Sequence, residues 1–181
     1  MFFQRIIACC LGLAATSSSF AETASKRDQE QTVGEVDEIE GVVRVVGPAA
    51  TSELLLDPGS GAKGPSVCKS DLSKRISKLT NYTVKVKGAW NLHKGKKRCV
   101  SPDTFTVTRA PSGRDAIVGI LTEQSGSFTL AGNDGKTHVL ADVPDGLKKL
   151  TGKKVILDLK STDNPAAKDE FKIVIYSEFP E

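Results

Sequence analysis

The chain is poor in the residues that most chemistry requires. Of its 181 residues only two are histidines, His93 and His138, and they fall in different halves. That separation excludes the closely spaced histidines of a zinc site. No serine sits in a Gly-x-Ser-x-Gly elbow, so the nucleophile of an α/β-hydrolase is missing. The glycine-rich stretch from Gly59 to Pro65 is not followed by a Lys-Ser/Thr pair at phosphate-loop spacing, and it reads as a flexible hairpin. Asp134, Asp142 and Asp145 do not fit a calcium loop. As a carboxylate pair they have local explanations instead, Asp134 in a turn and Asp145 before a helix. A membrane helix needs about 20 apolar residues, and the stretch Ile6 to Ala15 has ten. These absences point away from an enzyme, and neither a cofactor nor a metal is expected.

What is present starts with an export signal. Arg5 is a basic flank, Ile6 to Ala15 is the apolar core, and Ser19-Phe20-Ala21 places small residues at the third-last and last positions before a cut. Cleavage after Ala21 is expected, with residues 1–21 a signal peptide and the mature protein periplasmic or secreted. Cys9 lies inside the apolar core rather than after it, which argues against lipid attachment. Residues 22–39 are polar and are expected to form a disordered leader. Cys68 and Cys99 are the pair left after cleavage, and an exported chain favours a disulfide between them. A metal pair or a reactive thiol is the rival reading, without histidines to support it.

The remainder divides into two similar halves, residues 40–109 and 114–181, joined by Ala110-Pro111-Ser112-Gly113. In the first, Val42–Val46, Glu53–Leu56 and Ser66–Lys69 read as strands. Ser70 reads as the N-cap of a helix with Asp71 in its first turn and Leu72, Ile76 and Leu79 as its apolar stripe. Tyr82, Val84 and Val86 then alternate with Thr83, Lys85 and Lys87, and Phe105 and Val107 mark a fifth strand. In the second half Ile117–Thr122, Ser127–Ala131 and Thr137–Ala141 are strands, with Asn133-Asp134-Gly135 as a hairpin turn. Pro144 opens a helix, Leu147 and Leu150 face the core, and Gly152 stops it before strands Lys153–Lys160 and Phe171–Ser177. Positions 76, 79, 81 and 84 map onto 147, 150, 152 and 155, a constant offset of 71.

The second half, with Gly119-Ile120-Leu121, Phe128-Thr129-Leu130, Asp134-Gly135 and Leu147-Lys148-Lys149-Leu150-Thr151-Gly152-Lys153-Lys154-Val155, resembles small bacterial OB-fold domains of secreted and periplasmic proteins. The resemblance covers about sixty residues. Together with the element order shared by the two halves, it implies an all-β fold with short helices: two tandem OB-like five-stranded barrels, each with a helix between strands 3 and 4. It implies no activity and assigns no functional residue.

Charge separates the halves. Glu40 to Ser112 holds thirteen Lys and Arg against five Asp and Glu, and Gly113 to Glu181 holds nine against eleven. The cations gather at His93, Lys94, Lys96, Lys97 and Arg98, with Trp90 just before them and Lys85 and Lys87 on one strand face. In OB barrels the connection between strands 4 and 5 borders the ligand groove. An aromatic flanked by cations suits a polyanion or a stacked base. The competing reading makes the loop a solvated tip and Trp90 a barrel plug. His138, beside Val139 on a strand, reads as structural. Two functions follow: a secreted or periplasmic non-enzymatic binding protein engaging an acidic glycan, a lipopolysaccharide phosphate or nucleic acid, or an envelope adaptor contacting another protein.

Overall fold

A computed structural model describes Gly34 and residues 36–60, 63–93, 97–162 and 170–181. The expected signal peptide and residues 22–33 lie outside the described residues. The architecture is mostly β with short helices. Ten strands run in order: β1 Val36–Val46, β2 Glu53–Asp57, β3 Ser66–Val67, β4 Thr83–His93, β5 Lys97–Arg109, β6 Ala116–Gln124, β7 Ser127–Gly132, β8 Thr137–Ala141, β9 Lys154–Ser161 and β10 Glu170–Glu178. Helix α1, Asp71–Ser77, lies between β3 and β4, and the single turn α2, Asp145–Lys148, between β8 and β9. Each half therefore carries its helix between its third and fourth strands.

The second half closes into a five-stranded barrel in the order β10-β8-β7-β6-β9, with β10 and β8 parallel and the other pairs antiparallel. Leu121, Leu130, Leu147, Val155 and Leu157 fill it, all fully buried. In the first half the pairings run β1-β2-β3-β5-β4, and β4 returns to β1. Val43, Leu56, Val84, Val86 and Val100 are its fully buried centre, joined by Ile76 of α1 and by Leu79 just past it. Local chemistry sets these helices. Ser70 accepts from the Ser73 amide, while the Ser73 hydroxyl accepts from the Ser70 amide, a reciprocal cap. Asn81 (φ 73°) and Gly152 (φ 81°) adopt the left-handed conformation just past each helix. In β4, a Cβ on Gly88 would lie 2.0 Å from the Ser101 carbonyl oxygen. Glycine at that bulged position lets β5 cross closely.

In the first half two strand boundaries differ most from the sequence expectation. Strand β1 begins at Val36, inside the segment expected as a disordered leader, because Val36 to Ile39 pair with Ala89 to Val86 of β4. Its support is cross-strand charge: Glu38 meets Lys85 at 3.0 Å. The third strand ends at Val67 rather than Lys69. There Cys68 turns away into its disulfide and Ser70 starts the helix cap.

The joint between the halves is a tight hairpin. The Gly113 amide donates to the Ala110 carbonyl and the Ala110 amide to that of Arg114. Ala116, Val118 and Ile156 of the second half belong to the first half's core cluster. The C-terminal residues return to the first half, where Phe179 stacks on Phe105 at 5.6 Å. Arg75 lies 5.8 Å from the Phe105 ring and Lys154 4.3 Å from that of Phe179, so two cations flank the ring pair. Arg75 Nε also donates to the Pro180 carbonyl at 2.9 Å.

Candidate functional site

The β4–β5 hairpin carries the cations singled out in the sequence. Lys94 and Lys96 lie outside the described residues, as do the side chains of His93 and Lys97. Lys85 and Lys87 share a face of β4, but Lys85 is answered in place. Its hydrogen bond to Glu38, then the charges of Glu38 and Glu40, raise the ammonium above its ordinary value. Lys87 is exposed and sits opposite Glu38 in the register. Trp90 is 8% exposed and belongs to the core. Its Nε1 faces Asp37 Oδ2 at 3.5 Å, and the Arg98 guanidinium lies 5.3 Å from the ring centroid. Arg98 is thus folded inward over the indole, and its Nε and Nη2 are buried without a hydrogen-bond partner among the described residues. As placed, the indole offers no open face for a base to stack on.

Beside the hairpin lies a groove of about 820 Å³ between the β1–β2 connection and α1. The connection contributes Ala50, Thr51 and Ser52, β3 and its exit contribute Ser66, Cys68 and Lys69, and α1 contributes Ser73, Lys74 and Ser77. Its volume falls within the range of about 300–1,000 Å³ usual for small-ligand sites. The wall is unusually rich in hydroxyls, and most of their protons are committed. Ser66 donates to the Arg98 carbonyl, Ser73 to that of Ser70, Ser77 to that of Lys74 and Thr80 to that of Ser77. Lone pairs from these residues remain as acceptors. Ser70 Oγ only accepts, and Thr51 Oγ1 has no partner among the described residues, so both keep a proton to donate.

The groove holds two lysines with different standing. Lys74 pairs with Asp71 at 2.8 Å, and that hydrogen bond, then the charge, raises the lysine and lowers the aspartate from their ordinary values. Lys69 is exposed and has no partner among the described residues. The Cys68–Cys99 disulfide joins the exit of β3 to β5 with Cα atoms 5.2 Å apart. Both cysteines line the groove, and Cys99 follows Arg98 at the base of the cationic hairpin. The bridge spans 31 residues, which in the chain-entropy model contributes about 3–4 kcal/mol.

The sequence reading missed this groove. A signal was present: Ser66, Ser70, Ser73, Ser77 and Thr80 recur every three or four residues, a hydroxyl stripe at helical spacing.

A second cleft, of about 580 Å³, opens beside the joint and is lined by Arg109, Arg114, His138, Leu159 and Phe171 among others. His138 is buried at 6% exposure, donates through Nε2 to Asp134 Oδ2 at 3.0 Å, and meets Phe171 edge-on at 5.1 Å. Burial pushes the Asp134 carboxyl up. The hydrogen bonds from the Lys136 amide and from His138, with their charges, outweigh it and leave the group below its ordinary value. Arg114 grips Asp158, whose side chain is fully buried, through Nε at 2.7 Å and Nη2 at 3.1 Å. These partners hold strands and turn together. Among the described residues no three His, Cys, Asp or Glu side chains gather as a metal site, and no helix is long and apolar enough to cross a membrane.

Comparison with protein families finds no matching model, and comparisons with curated proteins and with solved structures find no match either.

Proposed function

We propose that the protein is a non-enzymatic binding protein of two OB-type barrels, exported to the periplasm or secreted, whose first barrel engages an anionic ligand. One observation carries this reading: the groove with its uncommitted Lys69 runs, through Cys99, to the base of the cationic hairpin. Counted from Val36, the first barrel holds thirteen Lys and Arg against seven Asp and Glu, a net of +6 even after the acidic start of β1 is included. Such a field raises the local concentration of anions within a Debye length, about 8 Å at physiological salt.

The test is affinity for heparin across a salt series. Counterion release makes polyanion binding fall steeply as salt rises. The parent protein should show that slope, and the combined change of Lys94, Lys96 and Lys97 to Ser, which leaves Arg98 packed over Trp90, should weaken binding and flatten it. Equal binding by parent and variant at every salt would remove the hairpin from the site. A salt-insensitive affinity for a single envelope protein, with none for heparin, would favour the adaptor reading.

A further inference from the structure

We infer that the groove between the β1–β2 connection and α1 takes an acidic oligosaccharide, a chain of hydroxylated rings bearing carboxylates, rather than a phosphate-dense polymer or a nucleic acid. This rests on the reading of the first barrel as an anion-binding module and narrows it to one ligand chemistry. Three features of the wall select that chemistry.

The first is the balance of donors and acceptors. Ser66, Ser77 and Thr80 have spent their protons on backbone carbonyls and present lone pairs. Ser70 and Thr51 keep theirs. A ligand matching this wall must both donate and accept along its length, as sugar hydroxyls do. Phosphodiester oxygens only accept, so they would match the donors of the wall and leave its acceptors to water.

The second is charge. Among the described lining residues Lys69 is the cation without an acidic partner, since Lys74 is paired with Asp71. One ammonium suits one carboxylate at a time. The third is the lack of aromatic rings among the described lining residues. Bases bound as single strands gain much of their affinity from aromatic stacking, and the nearest indole, Trp90, is packed into the core. A ribbon of sugar rings can instead lie on Val45 and the disulfide.

The experiment is calorimetric titration of the full protein with tetragalacturonate, with the uncharged maltotetraose and with inorganic polyphosphate. Tetragalacturonate should bind, and maltotetraose should bind about tenfold more weakly, the difference a single charge-assisted contact gives. Lys69→Gln should abolish that preference by weakening only the acidic sugar. Thr51→Val and Ser77→Ala should weaken both sugars together, with circular dichroism confirming the fold. Polyphosphate binding tightly while neither sugar binds would overturn this inference and leave the anion-binding reading standing. No affinity for any of the three probes at low salt would overturn both. Sugar binding that ignores all three substitutions would place the saccharide site elsewhere and sink the assignment to this groove.

Discussion

Phe179→Ala tests whether the two halves are held as one unit by the aromatic stack at the C-terminus. Phe179 stacks on Phe105 with ring planes 5° apart, and Arg75 and Lys154 flank the pair. Truncating a fully buried Phe costs about 3–5 kcal/mol. Phe179 is only partly buried, so about half of that applies, near 2 kcal/mol. Losing the ring pair and a solvated cation–π contact adds about 0.5–1 kcal/mol. The sum is about 2.5–3 kcal/mol. For a chain of this size each kcal/mol lowers Tm by about 2–4 °C, so a fall of roughly 5–10 °C is expected in differential scanning calorimetry. Phe179→Leu keeps much of the apolar area and should recover about half of the loss. A Tm for Phe179→Ala within about 1 °C of the parent would refute the reasoning, because the stack would then be an idle surface contact.

Arg114→Ala should destabilise more than Asp158→Asn in urea titration. The first leaves a fully buried carboxylate unpaired, a situation that typically costs about 3–5 kcal/mol, while the second leaves a neutral acceptor for Arg114; the reverse order would contradict the clamp. Asp134 titrates below its ordinary value when folded, so its contribution is complete above about pH 4 and is lost as pH falls through the folded pKa. Asp134→Asn should therefore flatten the acid limb of stability below about pH 4, and an unchanged limb would show that the His138 and Lys136 contacts do not form in solution. Replacing Cys68 and Cys99 together by Ser should remove about 3–4 kcal/mol of stability, and intact mass of the parent should be two units below the reduced value; two free thiols in oxidised material would contradict the bridge.

Those parts of the fold written in local chemistry were legible without the structure. Ser70 as cap, Asn81 and Gly152 as helix stops, and Asn133-Asp134-Gly135 as a hairpin are each decided within a few residues. Their order placed both helices between third and fourth strands. What escaped depends on partners far along the chain. The start of β1 looks like a polar leader because Glu38 finds Lys85 only in the folded sheet. Trp90 and Arg98 look like a cationic platform until Arg98 is seen turned inward over a buried ring. The joint looks like a linker, yet Ala116, Val118 and Ile156 bury themselves in the core cluster of the first half. The groove is the mixed case. Its hydroxyl stripe is periodic in the sequence, but Thr51 and Cys99 reach it only through the sheet.

The central claim is that the first half carries the anionic ligand at the groove and hairpin. Amide chemical-shift mapping of the full protein with a short heparin oligosaccharide at low salt tests it most directly. The largest shifts should cluster at Lys69, Ser70, Arg98 and Cys99 and fade as salt is raised. Shifts confined to residues 116–178, or none at any concentration, would contradict it.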